Sequence, residues 1–184
     1  YLTPWVFIFL IPAITMKSFA DEFNNGTIEL LKTKPISNWQ IVLGKFWAAL
    51  LLVVIALIPT ITYLYTVYQL GNPIGNIDFG ATIGSYIGLL FLAATYTAIG
   101  LFTSTLSKNQ IVAFILGVFS TFFLFYGFDA ISNSFDNNLT LQQIGINEHF
   151  KSISRGIIDT RDLVYFISVT IFFLFITKTR LENE

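Results

Sequence analysis

Five apolar stretches, near 1–16, 46–69, 79–106, 110–131 and 163–177, constrain this chain more than anything else in its sequence. A hydrocarbon core about 30 Å thick is crossed by roughly 20 apolar residues in helical form, so each stretch reads as a transmembrane helix. The first is expected to be cut short at its start. The last is short enough to need Asp162 and Lys178 to reach out to the interfaces. Composition agrees: 54% of the 184 residues are hydrophobic and 11% are charged, too few charges to cover a soluble surface. Lipid, rather than a single buried core, has to solvate this apolar mass, which includes 20 phenylalanines. The expected fold class is all-α, a polytopic transmembrane helix bundle with about five spans present.

The formal net charge is −1 and no basic stripe exists to displace counterions from a phosphate backbone, so a nucleic-acid partner is excluded. Without cysteine there is no thiolate chemistry, and His149 alone cannot build a metal site, so no metal or cofactor is expected. Tyr1 opens the chain without a methionine or a basic n-region, and the N-terminus is read as missing, with at least one earlier span.

Lysines and arginines orient the bundle, because cytoplasmic loops retain them. Lys17, Lys32, Lys34, Lys45, Lys108, Lys178 and Arg180 fall on one side, against Lys151, Arg155 and Arg161 on the other. The first and third connections and the tail are therefore inside. The tight turn at Ser107, Lys108 and Asn109 makes the third and fourth spans an antiparallel hairpin. The long outer connection, 132–161, spaces Leu139, Leu141, Ile144, Ile146, Phe150, Ile153, Ile157 and Ile158 so that short helices lie against the membrane surface.

Local chemistry divides the first inside connection, 17–45, sharply. Asn25-Gly26 is a breaker pair that ends the first helix. Thr27 then caps a short helix over 28–33, with Glu29 in its first turn and Lys32 and Lys34 near its end, each favourable to the helix dipole. Pro35 stops that helix, Ser37 and Gln40 form a capping box for the next, and Trp39 is placed to anchor at headgroup level. The product is a helical elbow projecting Ile28, Leu30 and Leu31 among charged neighbours. An ordinary solvated loop carries the same local signals, since capping residues occur at every helix end.

The stretch Phe19-Ala-Asp-Glu-Phe-Asn-Asn-Gly-Thr-Ile-Glu-Leu-Leu-Lys-Thr-Lys-Pro-Ile-Ser37, followed by Gln40-Ile-Val-Leu-Gly-Lys-Phe46, resembles the ABC-2 type transporter permeases. More narrowly it resembles the permeases of the gliding-motility-associated ABC transporters of Bacteroidota. The resemblance covers the whole chain, 1–184, as spans two to six of a six-span domain, and departs from it in lacking a first span and its outer loop. It implies a multi-pass protein of the bacterial inner (cytoplasmic) membrane, partnered by a separate ABC ATP-binding subunit and by a second membrane subunit in a homo- or heterodimer. It further implies that the elbow is a coupling helix docking on the ATPase through Glu22, Gly26, Thr27, Glu29, Leu30, Leu31 and Pro35. The amphipathic loop at 132–161 is similar to the re-entrant or interfacial helices of such permeases.

Nothing in the chain itself hydrolyses ATP: Gly44-Lys45 is followed by Phe46, where a P-loop needs Ser or Thr and a second glycine upstream. Neither a zinc-protease nor a serine-hydrolase motif is present, and no enzymatic activity is expected. No acidic residue lies at mid-span, which argues against an ion-coupled transporter; Asp78 and Asp129 read as solvated helix ends. Thr60, Thr62, Tyr63, Ser85, Thr95, Ser120 and Thr121 either line a path or bond helices together. Gly80, Gly84 and Gly88 form a small-residue face for close contact, within the bundle or with a partner. Pro4, Pro12 and Pro59 are placed to kink or loosen helices. The expected function is that of a permease subunit coupled to a separate ATPase. The alternative is a non-transporting membrane scaffold for a motility or secretion complex, whereas a channel lacks any filter motif.

Overall fold

The computed structural model describes residues 2–72, 75–134 and 143–183, and among them there are helices and turns but no strands. Helix α1 (Thr3–Thr15) passes through Met16, whose backbone stays helical, into α2 (Lys17–Asn25), giving a 23-residue first span. Pro4 sits in the first turn, where its missing N–H costs nothing, and the helix continues past Pro12 with Met16 N–H donating to the Pro12 carbonyl at 2.8 Å. The breaker pair acts as expected, with Gly26 in the left-handed region at φ 69° closing α2. Gly26 is also the N-cap of α3 (Thr27–Lys32), so Thr27 is the first residue of that helix and makes no capping bond, contrary to expectation.

The capping box forms: Gln40 N–H donates to Ser37 Oγ at 3.3 Å and Ser37 N–H to Gln40 Oε1 at 2.9 Å, opening α4 (Asn38–Leu57). Pro59 loosens this span into a 3₁₀ turn, Ile58–Thr60, beyond which α5 (Ile61–Leu70) continues. Together they make 33 residues, about 50 Å at 1.5 Å per residue, well over the hydrocarbon thickness. Helix α5 buries no residue and carries Tyr63 and Tyr65 exposed, as suits tyrosines at an interface.

Helix α6 (Phe79–Ser104), capped by Asp78 through Ala81 N–H at 3.0 Å, is the axis of the bundle: α1, α4, α7 (Gln110–Phe122) and the last span all pack on it. The α6–α7 hairpin is present, with Asn109 Oδ1 accepting from Ile111 N–H at 2.9 Å. The fourth span leaves α7 through a π turn, Phe123–Gly127, into α8 (Phe128–Ser134). After α9 (Ile146–Ser154), α10 (Thr160–Glu182) forms the last span, 23 residues long. That length corrects the expectation of a short span stretched by Asp162 and Lys178. Asp162 is buried, and Lys178 pairs with Glu182 at 2.7 Å along the helix.

Two apolar clusters stack along α6. One holds Phe7, Ile11, Leu92, Tyr96, Phe125 and Phe166; the other, at the elbow end, holds Phe19, Ile28, Val42, Leu101 and Leu181. Some of the span hydroxyls join helices and others bond within their own helix. Thr62 and Thr121 return their protons to carbonyls within a turn, Thr60 meets Tyr86 at 2.9 Å, and Thr95 meets Thr170 at 3.1 Å between α6 and α10.

Candidate functional site

The elbow is built on α2, whose Phe19, Ala20 and Phe23 face the bundle. Helix α3 folds back onto the same cluster. In a helix this short, residues 28 and 31 share one face and residues 29 and 30 fall outside it. Ile28 is therefore buried and Leu31 half-buried, which corrects the expectation that both project; Leu30 does project, at 66% exposure. Gly26, Thr27, Glu29, Lys34 and Pro35 are exposed beside it, with Ile36 extending the apolar patch. Trp39 is half-buried, its ring 6.4 Å from that of Phe175 on α10.

Glu22 faces a different way. Its Oε1 accepts from Lys45 Nζ at 2.5 Å, the same ammonium donates to the Ser18 carbonyl at 2.5 Å, and it lies 4.7 Å above the Phe19 ring. Glu22 and Lys45 are each 22% exposed, and Glu22 Oε2 is buried without a partner. On the far side of α2, Gln110 at the start of α7 donates to Asp21. The elbow is thus clamped to the second span and to the α6–α7 hairpin. Sequence reasoning had no signal for Lys45 or Gln110, whose partners lie 23 and 89 residues away.

At the far end of the bundle, α9 seats on the glycine face of α6. A Cβ on Gly84 would stand 2.4 Å from the Ile153 carbonyl oxygen and 2.8 Å from Gly156 Cα, and Gly88 faces Phe150 and Ile153. The small-residue stripe therefore makes a contact within the chain. Ile146, Phe150 and Ile153 are buried against the bundle, not laid on the membrane surface as their spacing suggested. Ile144, Ile157 and Ile158 are exposed, while Leu139 and Leu141 lie outside the described residues.

A second clamp holds α9 to α10. His149 Nδ1 is 2.7 Å from Asp162 Oδ1 and its Nε2 is 2.8 Å from the Gln143 carbonyl, with the ring stacked on Tyr165 at 3.9 Å. Tyr165 in turn donates to the Ile144 carbonyl at 2.5 Å.

Between α1, the π turn, α8 and α9 opens a cavity of about 850 Å³. Trp5, Phe122, Phe125 and Phe150 supply apolar walls, and Asp129, Asn147 and Lys151 gather on one side. Asp129 is not the solvated helix end expected of it. Its Oδ2 accepts from Asn147 Nδ2 at 2.5 Å, Lys151 Nζ stands 3.9 Å away, and its Oδ1 is buried with no partner. The π turn, invisible in the residue pattern, aims Phe125 and Tyr126 here, the latter stacked on Trp5 at 4.6 Å.

Neither curated proteins nor solved structures gave a match to this chain. The family model described as ABC-2 family transporter protein matches residues 3–179, from the first turn of α1 into the last turn of α10, and the chain belongs to that family.

Proposed function

We propose that this chain couples ATP hydrolysis in a separate ATP-binding subunit to the movement of a substrate across the membrane, and that the elbow at 17–45 is the docking and coupling element. ABC-2 membership makes the chain a multi-pass membrane permease, a transmembrane component whose family works with ABC ATP-binding partners. The observation that carries the coupling role is the division of α3 into two faces. Leu30, Glu29 and Thr27 are exposed, while Ile28 is buried in, and Leu31 packs against, the cluster joining the first, second, third and last spans. A push on the outward face is delivered through packed side chains and the Lys45–Glu22 pair to two spans at once.

Within this reading Leu30, Glu29, Thr27, Gly26 and Pro35 meet the ATPase. Leu31 backs the docking face, and Glu22 transmits the load from its half-buried pair. The excess of basic residues supports a cytoplasmic orientation for this end, and the resemblance of the 19–46 stretch supports the bacterial inner membrane as the setting. A second membrane subunit, a copy or a relative, completes the assembly. The finer assignment to gliding motility rests on the 19–46 stretch alone.

Leu30→Asp and Glu29→Lys test the docking surface, because both side chains are exposed and touch no span. With the complex in lipid nanodiscs, Leu30→Asp is expected to weaken co-purification of the ATP-binding subunit by roughly tenfold or more, the scale of losing an apolar interface anchor. Permease-dependent ATPase activity falls with it. Should both variants bind and couple normally while the membrane assembly stays intact, the scaffold reading takes its place.

A further inference from the structure

We infer that the far-end cavity is a binding site for a zwitterionic amphiphile whose head carries N–H donors beside an anionic group, with an aminophospholipid as the bilayer's own example. The inference does not depend on the coupling role of the elbow, which lies at the other end of the bundle.

The cavity, about 850 Å³, is of a size that holds a whole small ligand or the head and upper chain segments of a lipid. Its walls are aromatic and aliphatic: Trp5 and Phe122 on one side, Phe125, Phe150 and Leu89 behind. Such walls leave water poorly solvated and favour an apolar body. The polar residues are concentrated where α8 faces α9, and their hydrogen-bonding capacity is only partly used.

Asp129 has one carboxylate oxygen engaged by Asn147 and the other buried and unpartnered. An ionised carboxylate only accepts, so what it lacks is a donor. The carboxylate torsion is broad, so a head group entering along the wall that Asp129 and Asn147 share can turn it and exchange the Asn147 bond for its own. Lys151 has three N–H groups; Glu148 accepts one at 2.9 Å, and Asp129 at 3.9 Å is beyond hydrogen-bond range. A carboxylate with one unpartnered oxygen, and an ammonium with spare donors 3.9 Å from its other oxygen, are the complement of an ammonium and a phosphate on one short head group. A purely anionic head would meet the Asp129 carboxylate, and a quaternary ammonium would bring charge without the missing N–H.

The probe pair follows from that chemistry. Phosphatidylethanolamine and phosphatidylcholine have the same net charge and differ in whether the nitrogen bears protons. The full-length chain with its partners is placed in nanodiscs of equimolar acyl-labelled forms of the two lipids, without ATP, and bound lipid is read after native mass spectrometry. Retention of phosphatidylethanolamine over phosphatidylcholine by roughly tenfold is expected, the size of a charge-assisted hydrogen bond. Asp129→Asn is expected to abolish the preference, because an amide offers donors where the ligand needs an acceptor. Lys151→Met should reduce retention of both lipids. Leu30→Asp, which tests coupling, should leave the preference intact, so failure of the coupling reading and failure of this one are separately visible. Equal retention of the two lipids, a preference that survives Asp129→Asn, or retention of neither lipid would each overturn the inference.

Discussion

Gly84→Leu is expected to lift α9 off the bundle and to lower stability by about 3 kcal/mol, the upper end of what overpacking costs. The reason is the identity of the atoms it meets. A Cβ at this position would lie 2.4 Å from the Ile153 carbonyl oxygen and 2.8 Å from Gly156 Cα, both main chain, so no rotamer change relieves the clash. Gly156 cannot move aside, because it holds φ 84° and is itself packed against the Gly80 backbone. Displacing α9 also uncovers Ile146, Phe150 and Ile153 and parts Ser85 Oγ from the Ser154 carbonyl it reaches at 3.3 Å. The unfolding temperature of the detergent-solubilised protein should fall by on the order of 6–12 °C, and the connection between α8 and α10 should become sensitive to protease. Gly84→Ala should show the same change at lower amplitude. An unaltered melting curve for Gly84→Leu would mean that α9 does not rest on α6.

The second large effect is expected at Lys45. Methionine there keeps the aliphatic stem but removes the charge, leaving the Glu22 carboxylate without its ammonium and with Oε2 already unpartnered. Breaking a fully buried pair costs roughly 3–5 kcal/mol; with both side chains 22% exposed, water recovers part of that, and about 2–3 kcal/mol is expected. Glu22→Gln alone should cost less, since an amide is tolerated where an unpaired charge is not. The double variant should be more stable than the two losses added together, by on the order of 1 kcal/mol of coupling. Additive losses would show that the pair holds nothing. Because the same ammonium also binds the Ser18 carbonyl, Lys45→Met should loosen the elbow as a unit and, under the proposed coupling role, lower permease-dependent ATPase activity.

Much of the fold was legible because the signals are local. Apolar length places the spans, the Asn25-Gly26 pair stops α2, Ser37 with Gln40 opens α4, and Asn109 opens the return arm of the hairpin. The misreadings concern which way a residue faces. The spacing of Ile146, Phe150 and Ile153 fits a membrane surface and a protein surface equally, and it is the glycine face of α6, one span and a long connection away, that decides for the protein. Ile28 and Leu30 are alike as side chains, yet two positions on a short helix separate a buried face from an exposed one. Asp129 reads as a helix end from its neighbours in sequence, while its partners Asn147 and Lys151 come from α9. The Glu22–Lys45 and Asp21–Gln110 ties, like the π turn that shapes the cavity, arise only when the spans are assembled. Hence the family was readable from the elbow stretch, but the internal mechanics of the elbow were not.

The coupling role of the elbow is tested most directly by proximity. Residues 1–184 contain no cysteine, so Leu30→Cys introduces a single thiol on the exposed face of α3. A short bifunctional thiol-to-amine reagent is applied to the membrane-embedded complex, with Ile157→Cys at the far end as the reference position. The account predicts a covalent adduct between the ATP-binding subunit and the Leu30→Cys chain, with a yield that changes when ATP is bound, and none from Ile157→Cys. An intact complex in which positions 27, 29 and 30 all fail to cross-link to that subunit would contradict it.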